Sequence, residues 1–268
     1  MRIVAILILA YFAFGALFIR FAIPYFLFSP NKVTQPTEEI RNFSISSSQM
    51  QVISRTYGVQ GKPCLFFFPG QHGGVSRYEN ELVTSPELNT FNITIFSYPS
   101  QDGALGNVSS LEKLNALLIR LALLTESENS CPQLYLYGRS LGAMVAVSVS
   151  TSLNVDGIVL EGASESLASA LNNKFNKIWY LSPYQILPIK MLLKQNYNLE
   201  QLIIEQKTGN ILLVQGAVDK VTPLRQIQSI AKQNHIDILE VENGNHESTF
   251  ILAREQVASR LNQWANRH

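Results

Sequence analysis

The stretch Leu134-Tyr135-Leu136-Tyr137-Gly138-Arg139-Ser140-Leu141-Gly142, running on into AMVAVSVS at 143–150, decides how this 268-residue chain is read. Its first four apolar residues predict a short strand, and the closing run predicts an amphipathic helix directly behind it. Between them stands Gly-x-Ser-x-Gly. A serine at so tight a strand-to-helix turn is held strained with its hydroxyl exposed, and the flanking glycines let strand and helix approach. The helix N-terminus adds positive potential where an oxyanion develops. In a chain with 15 glycines, chance supplies this pattern roughly 0.08 times. The reading is a nucleophilic Ser140, with a purely structural turn as its bland alternative.

Outward from this motif, apolar β-rich runs alternate with helical patterns. Strands are predicted at 51–57, 64–68, 93–98, 134–137, 157–160, 211–214 and 236–241. Helices are predicted at 111–124, 140–150, 164–172, 223–233 and 250–265. LFFF at 65–68 and ILLV at 211–214 are continuous apolar runs, as central parallel strands covered on both faces require. The alternation implies an α/β fold with a mostly parallel, doubly wound sheet and helices on both faces. The longest interval between confident strands, 164–210, holds Trp179, Tyr180, Tyr184 and several leucines. It reads either as a short helical lid over the cleft at the strand ends or as an ordinary packing helix plus loop.

A serine hydroxyl needs a base. Of the four histidines, His268 ends the sequence and His235 precedes a strand. His246 follows the predicted strand 236–241 in Glu242-Asn243-Gly244-Asn245-His246, where a loop can reach Ser140; the alternative is a surface histidine. The base in turn needs an acceptor to fix its tautomer. Asp219, in the loop after ILLV and just before Pro223, fills that role, and Glu161 at the end of IVLE is the competing acid. Chain order is then Ser140, Asp219, His246. The oxyanion donors are the backbone N–H groups of Leu141 and of Gln71, the latter in Pro69-Gly70-Gln71-His72-Gly73-Gly74. His72 reads as a loop histidine near the cleft mouth.

These four pieces resemble the α/β-hydrolase fold over about residues 50–268. More narrowly they resemble the serine aminopeptidase-like and Bem46-like hydrolases, many of which carry an N-terminal membrane segment. The matching segments are Gly138–Gly142 with Ala143, LEGASES at 160–166, GAVDKVTP at 216–223 and Gly244-Asn245-His246. The family's His-Gly at the oxyanion loop and its Tyr-Arg-Gly turn are replaced here by Pro69-Gly70 and Tyr98-Pro99-Ser100, which bears on substrate preference. The resemblance implies hydrolysis of an ester, thioester or amide through an acyl-serine, with no metal and no cofactor. The acyl substrate is small or lipid-like. An acyltransferase with the same triad and a catalytically silent, membrane-tethered binding module are the rival functions. A His246 that must be neutral to accept a proton predicts activity falling off below about pH 6–7.

Charge is sparse, 15% of residues against about 25% in an average soluble domain. The net charge of +1 offers no basic excess for nucleic acid. The deficit lies at the N-terminus. Residues 3–19 carry no charge, and the apolar run reaches Ile23 if Arg20 snorkels, which meets the roughly 20 residues a membrane helix needs. Residues 1–28 are therefore expected to form one transmembrane anchor, ended or kinked at Pro24, with Tyr11 and Tyr25 near the two interfaces. A cleaved signal peptide and a buried core helix are the alternatives. Flanking basic residues barely choose an orientation; an extracytosolic domain is favoured because signal anchors of this shape usually leave it there. Residues 29–50 read as a linker and entry, and 51–268 as the hydrolase domain; the oligomeric state is left open. In the α/β-hydrolase strand order Cys64 and Cys131 lie near the N-terminal ends of neighbouring strands. A disulfide is conceivable there in an extracytosolic domain, although bridging parallel neighbours strains the usual geometry.

Overall fold

A computed structural model describes residues 2–31, 41–47 and 49–267. Eight strands form one sheet: β1 (Arg41–Ser47), β2 (Met50–Tyr57), β3 (Cys64–Phe68), β4 (Asn92–Ser97), β5 (Leu134–Arg139), β6 (Gly157–Glu161), β7 (Ile211–Gly216) and β8 (Asp237–Val241). Their order is β1-β2-β4-β3-β5-β6-β7-β8. β2 runs antiparallel to both neighbours, and every other pairing from β4 to β8 is parallel. β1 lies within the stretch expected to be linker. Its Phe43 and Ile45 alternate with polar residues and pack half-buried on the core. Residues 32–40 and 48 of that linker lie outside the described residues.

The helices are α1 (Arg2–Leu17), α2 (Ile23–Leu27), α3 (Val75–Val83), α4 (Leu111–Asn129), α5 (Leu141–Ser150), α6 (Leu167–Asn176), α7 (Ile189–Leu192), α8 (Leu199–Ile204), α9 (Leu224–Asn234) and α10 (Thr249–Ala265). The period-two geometry of β3 sorts its residues onto two faces. Phe66 and Phe68 join the core beneath α4 and α5, while Leu65 and Phe67 join the core shared with Tyr78, Phe250 and Trp264. Each is fully buried and contributes about 1.5–3 kcal/mol of hydrophobic stabilisation. α5, expected to be amphipathic, is buried on all sides from Gly142 to Ser150, because it is sandwiched between the sheet, α4 and α8.

The N-terminal helix does not stop at Pro24. α1 passes through a π turn, Phe18–Ala22, into α2. Pro24 cannot donate to a carbonyl one turn back, and the wider turn just ahead of it absorbs the defect. Gly15, Ile19, Ile23 and Leu27 are buried against the domain. Tyr11 stacks on Tyr184 with ring centroids 4.5 Å apart, and its hydroxyl donates to the Tyr180 carbonyl. Cys64 and Cys131 are joined in a disulfide with their Cα atoms 5.5 Å apart. Only Cys64 is in a strand; Cys131 sits in the loop ahead of β5, which removes the constraint that disfavoured a bridge between two strands.

Candidate active site

Ser140 joins β5 to α5 at φ 55° and ψ −120°, a region costing about 1–3 kcal/mol for a non-glycine residue. The surroundings enforce it. Ser140 N–H donates to the Glu161 carbonyl at 2.7 Å, and its own carbonyl accepts from Ala143 N–H at 3.0 Å. A Cβ on Gly138 would meet the Gly142 carbonyl at 2.4 Å, and one on Gly142 would meet the Phe68 carbonyl at 2.0 Å. Both glycines are thus required by close backbone approach, as the motif predicts.

Residues 106 positions apart meet here: Ser140 Oγ lies 2.8 Å from His246 Nε2. On the far side of the ring, His246 Nδ1 lies 2.8 Å from Asp219 Oδ2. Asp219 also accepts from the N–H of Val221 at 2.7 Å, the N–H of Thr222 at 3.0 Å and the Thr222 hydroxyl at 2.7 Å. Burial alone raises a carboxyl pKa, but the hydrogen bond and charge of His246, reinforced by Thr222, outweigh it and hold Asp219 below its ordinary value. Asp219 stays ionised and aimed at the imidazole.

The loop after β3 lies against Ser140, since a Cβ on Gly70 would come within 3.7 Å of its Oγ. Among the described residues, neither Gln71 N–H nor Leu141 N–H donates to a protein acceptor. The Gln71 carbonyl is fixed by Ser29 N–H at 2.9 Å and by Gln101 Nε2 at 3.2 Å. Its side chain is held at both ends: Nε2 donates to the Phe26 carbonyl at 3.0 Å, and Oε1 accepts from Lys174 at 3.2 Å. Segment 26–29 of the N-terminal helix and its exit therefore clamp the Gln71 loop, a contact absent from the sequence reading. His72 lines the cavity; burial, with the charges of Lys174 and Arg77, lowers its pKa.

Glu161, the competing acid, serves elsewhere. It accepts from Arg139 Nε at 3.0 Å and from the Tyr137 hydroxyl. Burial pushes its carboxyl above the ordinary value, and Arg139 and Tyr137 pull part of that back. Arg139 also donates to the carbonyls of His246 at 2.8 Å and Glu247 at 3.1 Å, and to the Tyr78 hydroxyl at 2.6 Å. It thus ties the serine turn to the histidine loop. Nothing in Gly-x-Ser-x-Gly singles out its second residue for this, so no local pattern points to Arg139.

A cavity of about 780 Å³ opens above Ser140 and His246, within the range of ligand sites. Leu167, Leu171 and Phe175 of α6 and Leu181 form one wall, and Phe18 and Phe26 of the N-terminal helix form another. Within 164–210, residues of 164–181 line the cavity, while α8 packs against α5 and α9 as an ordinary packing helix. Among the described residues, no group of three or more His, Cys, Asp or Glu side chains converges as a metal ligand set.

With strand order and site in place, the chain can be set beside known structures. An esterase of Pyrococcus furiosus superposes at TM-score 0.70 and 14% identity, covering 91% of this chain and 98% of that one. The chain has the α/β-hydrolase fold. A thioesterase domain from the curacin biosynthetic pathway matches at TM-score 0.56 and 12% identity over 84% of this chain and 100% of the other. A membrane phospholipase A described as a bacterial virulence factor matches at 0.58 and 12%, over 85% and 86%. No protein-family model and no curated protein matches the sequence.

Proposed function

We propose that this protein is a membrane-anchored serine hydrolase that cleaves carboxylic esters or thioesters through an acyl-serine intermediate. The observation that carries the reading is the unbroken chain of contacts Ser140–His246–Asp219 on the wall of the cavity. His246 Nε2 takes the Ser140 proton as Oγ attacks the carbonyl carbon. The N–H groups of Leu141 and Gln71 receive the oxyanion, each worth about 3–4 kcal/mol of barrier. His246 then gives the proton to the leaving alcohol or thiol, and water repeats the sequence on the acyl-serine. Asp219 keeps the Nδ1 tautomer and stabilises the imidazolium. The structural neighbours, an esterase, a thioesterase domain and a phospholipase, lie in the same reaction class.

The anchor is the helix from Arg2 to Leu27, 26 residues containing an 18-residue window with a mean hydropathy of 2.4, long enough for a bilayer. The Cys64–Cys131 disulfide supports an extracytosolic domain, because such bonds persist in oxidising compartments. A fluorophosphonate probe tests the chemistry: wild type is labelled and hydrolyses a series of acyl esters and thioesters, and Ser140→Ala does neither. Equal labelling of Ser140→Ala ends the proposal.

A further inference from the structure

We propose that segment 166–199 and the N-terminal helix together form a face embedded in an anionic lipid bilayer, and that the cavity between them draws its acyl substrate from that bilayer. The substrate half rests on the hydrolase reading above; the docking half does not.

The first argument is length. From Tyr11 onward the helix is engaged with the domain: a Cβ on Gly15 would already meet the Tyr184 ring at 2.4 Å, and Ile19, Ile23 and Leu27 are core residues. Only residues 2–10 project freely. At 1.5 Å per residue they reach about 14 Å, half of a hydrocarbon core about 30 Å thick. A helix docked in this way crosses a bilayer only if its domain-packed half is in the lipid as well, and that half carries the insert in with it.

The second argument is the insert's own surface. Trp179, Tyr180, Ile186 and Met191 are 85%, 55%, 75% and 80% exposed. Beside them, 166–199 holds four exposed lysines, Lys174, Lys177, Lys190 and Lys194, and no aspartate or glutamate; Glu165 and Glu200 flank it and share a groove with Lys190. Apolar and aromatic tips within a predominantly basic collar match a segment lying at an anionic lipid interface. The two elements also share that collar. Lys194 Nζ sits 4.8 Å from the Phe21 ring centroid, and Arg20 donates to the Leu192 carbonyl at 3.4 Å. The cavity wall is built from the same pair, Phe18 and Phe26 facing Leu171 and Phe175, so an acyl chain leaving the lipid between them arrives above Ser140.

The chain has two tryptophans, and Trp264 is buried at 3% exposure, so Trp179 is a built-in depth probe. The full-length protein is reconstituted in vesicles of phosphatidylglycerol and phosphatidylcholine, with or without bromine on the acyl chains. Trp179 emission falls about twofold in the brominated vesicles, and Trp179→Phe removes the difference; equal emission in both vesicles overturns the docking. Equal quenching in pure phosphatidylcholine overturns the anionic preference. For the substrate, the ratio of rates on a fluorogenic phosphatidylglycerol in vesicles to soluble p-nitrophenyl acetate is compared with that of Ile186→Ser/Met191→Ser. The ratio falls about tenfold; an unaltered ratio overturns delivery from the bilayer. A wild type that neither cleaves a soluble ester nor labels at Ser140 ends the hydrolase reading and the substrate half together, while the quenching still decides the docking.

Discussion

Arg139 and Glu161 form a buried ion pair, with side chains 6% and 1% exposed, and their removal has opposite pH signatures. In Arg139→Met, Glu161 keeps Tyr137 but loses its counter-charge. The carboxyl, already raised by burial, then rises further. At 1.36 kcal/mol per pH unit, holding it charged from 4.5 to about pH 7 costs at most about 3 kcal/mol, because beyond that it takes up a proton instead. The sign follows from proton binding: with the folded pKa raised, the native state holds more protons than the unfolded one, so stability falls as pH rises from 4.5. Near about pH 5 the same substitution should cost under about 1 kcal/mol through this charge. Glu161→Leu strands a guanidinium that cannot deprotonate, at a cost of about 3–5 kcal/mol, and removes a group whose raised pKa adds stability at low pH, so this cost grows on acidification. Urea unfolding followed by tryptophan fluorescence at the two pH values reads both, and the double variant should cost less than the sum of the singles. If the Arg139→Met penalty does not shrink with acidification, Glu161 is not carrying a charge compensated by Arg139.

Asp219→Asn should lower kcat by about four orders of magnitude with little change in KM, since the imidazole loses the acceptor that fixes its tautomer. The depressed Asp219 pKa adds stability above the unfolded value of 3.8 that is lost as pH falls through the folded one, so acid unfolding of Asp219→Asn should be flatter in pH. Cys64→Ser frees a crosslink across 67 residues; chain entropy puts the loss at about 4 kcal/mol, read as a lower urea midpoint that added reductant reproduces in wild type. Gly15→Leu places a side chain inside the Tyr184 ring position at a cost of about 1–3 kcal/mol, more than the Tyr11–Tyr184 stack returns at about 0.5–1.5 kcal/mol. The helix should lift locally, and kcat/KM for long-chain esters should fall relative to acetyl esters.

The central strands were legible because short runs such as LFFF and ILLV are apolar at every position, as burial on both faces requires. The candidate triad was legible because chain order and strand ends restrict which serine, histidine and aspartate can meet. Helix α3 was missed although Val75, Tyr78 and Leu82 keep a helical spacing, because nine residues give too short a window for a period of 3.6. Strand β1 was read as linker because two apolar residues, Phe43 and Ile45, are all its alternation offers. Arg139 and the clamp on Gln71 were invisible for a different reason. Each depends on three segments distant in sequence, and a local pattern reports burial, not which partner supplies it.

The N-terminal helix shows how a local defect sets a long-range arrangement. An α-helix advances about 100° per residue, so a stripe at every fourth position drifts by about 40° per step. From Tyr11 through Gly15, Ile19 and Ile23 to Leu27 that drift would total about 160°, and a straight helix could not press both ends on one domain. All five contact it. The π turn supplies the correction: Ile23 N–H donates to the Phe18 carbonyl, five residues back, and each residue of the wider turn advances by less. Pro24, lacking an N–H, makes that turn cheaper than a regular one at this place. Its position reads as a stop or a kink, and the turn ahead of it keeps the helix in register long enough for Phe18 and Phe26 to flank the cavity and for the Phe26 carbonyl to hold Gln71. With Ile19 only 1% exposed, the helix and the α/β domain are packed as one body, so a shift of the helix is a shift of the Gln71 loop beside Ser140.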